Sequence, residues 1–169
     1  MKSILFSACI ITIVGISACS NPNHTNNTTT TDSMGVSATP AASDNVVKKQ
    51  LDLSASQEVP ANTSKGKGTA DVSYDKTSHM LTYTINYSGL TGAATMAHIH
   101  GTAPKGANAG VKRDLSGFIQ KADSGSFTDS VMVDGNAIKE DSLMSGFYYF
   151  NIHTAANPGG EIRTQIELQ

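Results

Sequence analysis

From Leu81 to Tyr87 every second residue is large and apolar: Leu81, Tyr83, Ile85 and Tyr87 alternate with Thr82, Thr84 and Asn86. Successive side chains leave a strand on opposite sides, so a period of two marks a strand with one buried face. A helix would spread the same residues around its circumference. Just before this run, Ala70, Val72 and Tyr74 alternate with Thr69, Asp71 and Ser73. The intervening Asp75-Lys76-Thr77-Ser78 is built of turn residues, so the two runs predict a hairpin. The same period recurs at Leu51 and Leu53, from Val111 to Leu115, and at Phe127, Val131 and Val133, where Asp129 is discordant. It closes the chain from Glu161 to Leu168, with Ile162, Ile166 and Leu168 expected inward. A helical turn is expected only over Asn136 to Met144, and Pro60 marks an edge or a turn. Short strands with Gly and Pro turns predict an all-β domain, an antiparallel Greek-key sandwich or barrel.

Two further strands carry histidine near their ends: Met96-Ala97-His98-Ile99-His100-Gly101 and Phe147-Tyr148-Tyr149-Phe150-Asn151-Ile152-His153-Thr154. Alternation puts His98 and His100 on one face with Ile99 opposite. It puts Tyr149, Asn151 and His153 on one face, and Tyr148, Phe150 and Ile152 on the other. If the two strands are neighbours in a sheet, three of the five histidines converge. Imidazole suits copper and zinc, and in its neutral form it is a ligand near pH 7. His98, His100 and His153 are therefore the candidate metal ligands, for copper or zinc, with copper the tighter by the Irving–Williams order. Asn151, Glu161 and Arg163 are candidates to brace them. Glu161 can instead be a ligand itself, or pair with Arg163 across the Asn157-Pro158-Gly159-Gly160 turn. The loop from Thr102 to Gly110 is expected to cover or border the point of convergence. The competing expectation is structural: the histidines bond loop backbone and tie hairpin ends together.

The chain begins Met1-Lys2-Ser3 and runs apolar from Ile4 to Ile16, the length of a secretory signal and short of the about 20 residues that span a bilayer. Ile16-Ser17-Ala18-Cys19 resembles a bacterial lipobox, which implies cleavage before Cys19 and lipid on that residue. The expected organisation is a lipoprotein signal peptide over 1–18, a lipidated Cys19 with a flexible Thr/Asn-rich tether over 19–45, and a β domain over 46–169. Several acyl chains on one residue anchor stably. Ser20, where Asp would favour inner-membrane retention, points to the outer membrane, facing the periplasm or the cell surface. His24 lies in the tether and is expected to be solvated. Cys9 leaves with the signal, so no thiol remains for a thiolate site or a nucleophile.

Some function classes lose support. The formal net charge is −2 and no basic stripe occurs, so nucleic acid is not an expected partner. No Gly-rich phosphate loop, Gly-x-Ser-x-Gly elbow or paired-carboxylate pattern appears.

Glu58-Val59-Pro60, His98-Ile99-His100-Gly101, Gly146-Phe147-Tyr148, Asn151-Ile152-His153-Thr154 and Asn157-Pro158-Gly159-Gly160-Glu161-Ile162-Arg163 resemble, in order and spacing, the signature of the CHRD domain family. The resemblance covers nearly all of 48–168 and departs at Pro60, where the family often has two prolines. It implies an extracytoplasmic β domain of a family named for repeats in chordin, an extracellular protein that binds growth factors. The His-x-His strand is also similar to those of copper–zinc superoxide dismutases, so the expected sandwich or barrel is immunoglobulin-like or superoxide-dismutase-like. A dismutase site needs more histidines and an aspartate, and only His79 remains as a fourth. The leading expectation is thus a lipid-anchored CHRD-domain protein of the bacterial cell envelope that binds copper or zinc without catalysis. An extracytoplasmic interaction or adhesion module with a protein partner and structural histidines is the alternative. A metal-dependent, superoxide-dismutase-like redox enzyme is a third.

Overall fold

The structure is a computed structural model that describes residues 44–169; the expected signal peptide, Cys19, His24 and the tether up to residue 43 lie outside the described residues. Eight strands make one antiparallel sheet: β1 (Val46–Ser54), β2 (Lys67–Asp75), β3 (Met80–Ser88), β4 (Ala94–Gly101), β5 (Val111–Asp114), β6 (Gly125–Met132), β7 (Tyr148–Thr154) and β8 (Ile162–Gln165). Their spatial order is β5-β4-β7-β8-β1-β2-β3-β6. The expected β2–β3 hairpin is present, with Tyr74 facing Leu81 and Val72 facing Tyr83. Leu81, Tyr83, Ile85 and Tyr87 are all buried, as their period requires. They join Leu53, Ala97, Ile99, Phe150, Ile152 and Ile162 in one core on the inner face of the sheet.

The sheet curls into a half-barrel, so its two end strands, β5 and β6, approach each other. Among the described residues no ladder joins them. Arg113 of β5 reaches across to Asp129 of β6, with Nη2 donating to Oδ2 at 2.7 Å and Nε at 3.0 Å. Tyr83 donates its hydroxyl to the same oxygen at 2.8 Å. This explains the discordant acid in an otherwise apolar pattern. Burial alone would raise the Asp129 pKa, but the bonds from Arg113 and Tyr83 outweigh it and hold the carboxyl below its usual range.

Two expected elements are shorter than the sequence implies. The helix α1 spans only Glu140–Met144. Asp134 Oδ1 accepts the backbone N–H groups of Asn136 and Ala137 at 2.8 and 3.0 Å, which holds the preceding residues in a turn. The last strand ends at Gln165, whose side chain instead bonds the carbonyls of Ala103 and Gly146. Ile166 and Leu168 are still buried.

Candidate metal centre

Strands β4 and β7 are neighbours, and their register places Met96 opposite His153, His98 opposite Asn151, and His100 opposite Tyr149. Ala97, Ile99, Phe150 and Ile152 turn into the core, so the histidines face outward. On β8, Arg163 continues the row of His98 and Asn151, and Gln165 the row of His100 and Tyr149.

Each imidazole has one nitrogen committed. A carbonyl oxygen only accepts, so His100 Nδ1 donates to Ala109 O at 2.9 Å and His153 Nδ1 donates to Pro158 O at 2.9 Å. In a neutral ring this leaves Nε2 with its lone pair. Both Nε2 atoms turn to Asn151 Oδ1, at 3.1 Å for His100 and 3.0 Å for His153. His98 presents Nδ1 to His153 Nε2 at 3.0 Å and points Nε2 toward Asp114 Oδ1 at 3.8 Å. Burial first, with the neighbouring imidazoles adding to it for His98 and His153, holds the pKa of all three rings below the ordinary 6.5. They are therefore neutral at pH 7, in the ligating form.

The result is a pocket rich in acceptors. Two imidazole lone pairs and an amide oxygen converge where His98 Nδ1 can supply a single proton. A cation satisfies such a cluster. One ligand atom from each histidine lies within 4.8 Å of the others. Metal–nitrogen bonds of about 2.0–2.1 Å place tetrahedral ligands about 3.4 Å apart, so closing on an ion requires shifts of about an ångström. Rings anchored at Nδ1 can make such shifts by small rotations.

Of the bracing candidates, Asn151 lies at the centre of the cluster. Arg163 does not touch the histidines; its guanidinium lies 3.4 Å from the Tyr149 ring centroid, and Tyr149 stacks on His100 at 4.8 Å and 4°. It also donates to Ala107 O and Asn108 Oδ1, fixing the loop that carries Ala109. The Thr102–Gly110 loop thus borders the site as expected. Glu161 is elsewhere. Its carboxylate accepts from Ser64 Oγ, Thr91 N and Oγ1, Thr154 Oγ1 and Asn157 Nδ2. Those hydroxyl and amide donors outweigh burial and lower its pKa to about 2. It neither pairs with Arg163 nor joins the histidine cluster, and its work is to tie loops together.

Two residues escaped the sequence reading. Asp114 stands opposite His98 on β5, a position detectable only once the strands are paired. Glu58 is 6 % exposed, and its Oε1 is the one buried side-chain oxygen or nitrogen without a hydrogen-bond partner among the described residues. Burial pushes its pKa up to about 7, against the pull of Arg163, the Val59 N–H and the Asn151 side chain. The signal available in sequence was an acid inside a short motif with Val59 and Pro60.

The family model described as CHRD domain matches residues 49–166, a span that contains Glu58 and all three histidines. No curated protein and no solved structure matches the chain.

Proposed function

The chain belongs to the CHRD-domain family, and from that premise we propose that it is a lipid-anchored cell-envelope protein that binds one copper or zinc ion through His98, His100 and His153, without catalysis. The observation that carries the reading is the second nitrogen of two of the rings. His100 has Ala109 O there and His153 has Pro158 O, while His98 Nε2 faces Asp114 Oδ1 at 3.8 Å, beyond hydrogen-bond reach. Metal-ligating histidines typically donate their other N–H to a carbonyl or a carboxylate, which fixes the ring and raises its basicity. Backbone ties account for two of the three rings, and the Nε2 atoms they leave free both turn to the Asn151 amide. With three neutral nitrogens and no thiolate, copper(II) binds more tightly than zinc(II).

The anchor is supported by Ile16-Ser17-Ala18-Cys19 and the apolar run before it. Lipid on Cys19 holds the domain at the membrane, on the outer membrane in this reading. The Cys19→Ala variant is expected to lose the lipid and to remain unprocessed or misplaced; a variant still cleaved and still entering detergent fractions like the parent would contradict the anchor.

The decisive experiment is a titration of protein purified without a polyhistidine tag. One equivalent of copper(II) or zinc(II) should bind, and the triple variant His98→Ala/His100→Ala/His153→Ala should lose at least a hundredfold in affinity. Unchanged binding by the triple variant removes the metal reading. The histidines are then structural, and the domain is an interaction module.

A further inference from the structure

The outer row of β4 does not stop at the histidines. Met96 lies two residues before His98, on the same face by strand alternation, and stands directly across from His153 in the ladder. Side chains in such opposed positions have Cβ atoms about 5 Å apart. The core takes Ala97 and Ile99, whereas Met96 is 38 % exposed. Packing therefore does not explain a long apolar side chain here.

The backbone is shaped to put it there. Ala94 pairs with Thr154 but Met96 pairs with His153, so Thr95 is an extra residue in a β-bulge. Thr95 Oγ1 donates to His153 O at 3.2 Å, fastening the bulge to the histidine strand. Bulges re-aim side chains, often beside functional sites. Here Ala94 stays in the core, 1 % exposed, while Met96 stands on the histidine side.

A thioether is a neutral, soft donor on a side chain with three rotatable bonds. Soft donors select copper(I), whereas zinc(II) is held by imidazole, carboxylate or thiolate. Resting on the histidine centre proposed above, we propose that Met96 Sδ is a further ligand in that centre for copper(I) and not for zinc(II). The site is then a copper site able to keep its ion as copper(I), with the three imidazoles shared between metals and the thioether reserved for copper.

The test compares the full chain, its thiols blocked by alkylation, with its Met96→Leu and His153→Ala variants. Copper(I) affinity is measured anaerobically by competition with a chromophoric copper(I) chelator, and zinc(II) affinity by competition with a zinc chelator. Met96→Leu keeps the volume and the exposed position, so the fold is undisturbed. Expected are a loss of at least tenfold in copper(I) affinity for Met96→Leu with zinc affinity within twofold, and a loss for both metals with His153→Ala. X-ray absorption of the copper(I) form should show a sulfur scatterer that Met96→Leu lacks. Equal copper(I) affinity in Met96→Leu and the parent, with zinc still lost in His153→Ala, overturns the thioether ligand and leaves the histidine centre standing. A parent chain that binds neither metal overturns both.

Discussion

Glu58→Gln isolates what the buried carboxylate costs the fold. Its pKa is raised from 4.5 to about 7 by burial, against the attraction of Arg163 and the pull of the Val59 N–H and the Asn151 side chain. The folded state therefore keeps the proton to higher pH than the unfolded chain does. Stability from this group is fully present below 4.5, falls as pH rises, and is lost above about 7. At 1.36 kcal/mol per pKa unit the full loss is about 3 kcal/mol, most of which falls between pH 5 and pH 8. Burial is nearly complete, at 6 % exposure, so solvent screening removes little of it. The amide that replaces the carboxyl in Glu58→Gln does not ionise and carries no such term. The assay is urea unfolding of both proteins in chelator at a series of pH values. A constant offset from the amide's own bonds shifts one curve without changing its slope. Glu58→Gln should gain about 2–3 kcal/mol on the parent between pH 5 and pH 8. Parallel curves would refute both the carboxyl's raised pKa and the account of Glu58 as an unsatisfied buried acid.

Gly160→Ala should destabilise the domain by about 2–3 kcal/mol and weaken metal binding together, both read in one unfolding and titration series. Gly160 has φ +131°, and a Cβ there would strike Glu58 Oε1 and come within 2.8 Å of Asn151 Nδ2, displacing the amide from the rings; parental stability would contradict this packing. Asp129→Asn leaves Arg113 and Tyr83 facing a neutral partner at the half-barrel's seam, and should cost about 2 kcal/mol in urea unfolding with the copper and zinc affinities unchanged. An Asp129→Asn protein as stable as the parent would mean that the seam needs no charge pair.

How much of this was legible in the sequence depends on what a period of two encodes. It says which side of a strand a residue faces, so the inward Leu81–Tyr87 set and the shared face of His98 and His100 could be read directly. It does not say which strands are neighbours. The placing of β8 between β7 and β1, and of β6 beside β3, comes from connections of unequal length that no local pattern specifies. The same limit applied at the site. Convergence of His153 with His98 and His100 was conditional on β4 and β7 pairing. Asp114, one strand farther out, was invisible for that reason. Glu161 misled because two of its partners, Ser64 and Thr91, lie 97 and 70 residues away in sequence. A turn-flanking Glu with an Arg two residues on reads as a local ion pair, but each side chain found better partners across the fold.

Asn151 is where the strain of the fold and the chemistry of the site meet. Its amide has two unlike ends. Nδ2 and Glu58 Oε1 both border Gly160, and Oδ1 faces His100 and His153. With both Nδ1 atoms committed to carbonyls, turning the amide over would give the rings the donors they lack. It would also set Oδ1 against the carboxylate of Glu58, two acceptors with no proton between them. An ionised Glu58 disfavours the orientation that would satisfy the imidazole lone pairs. The fold bears the cost of a buried anion on one side of Asn151 and of an acceptor cluster on the other. Sequences evolved only for stability remove such groups or neutralise them. A bound cation is the species that offsets the cluster, and whatever binds the folded state alone stabilises it in proportion to its affinity. The same residues that make the metal-free domain less stable at neutral pH are those that orient the ligands.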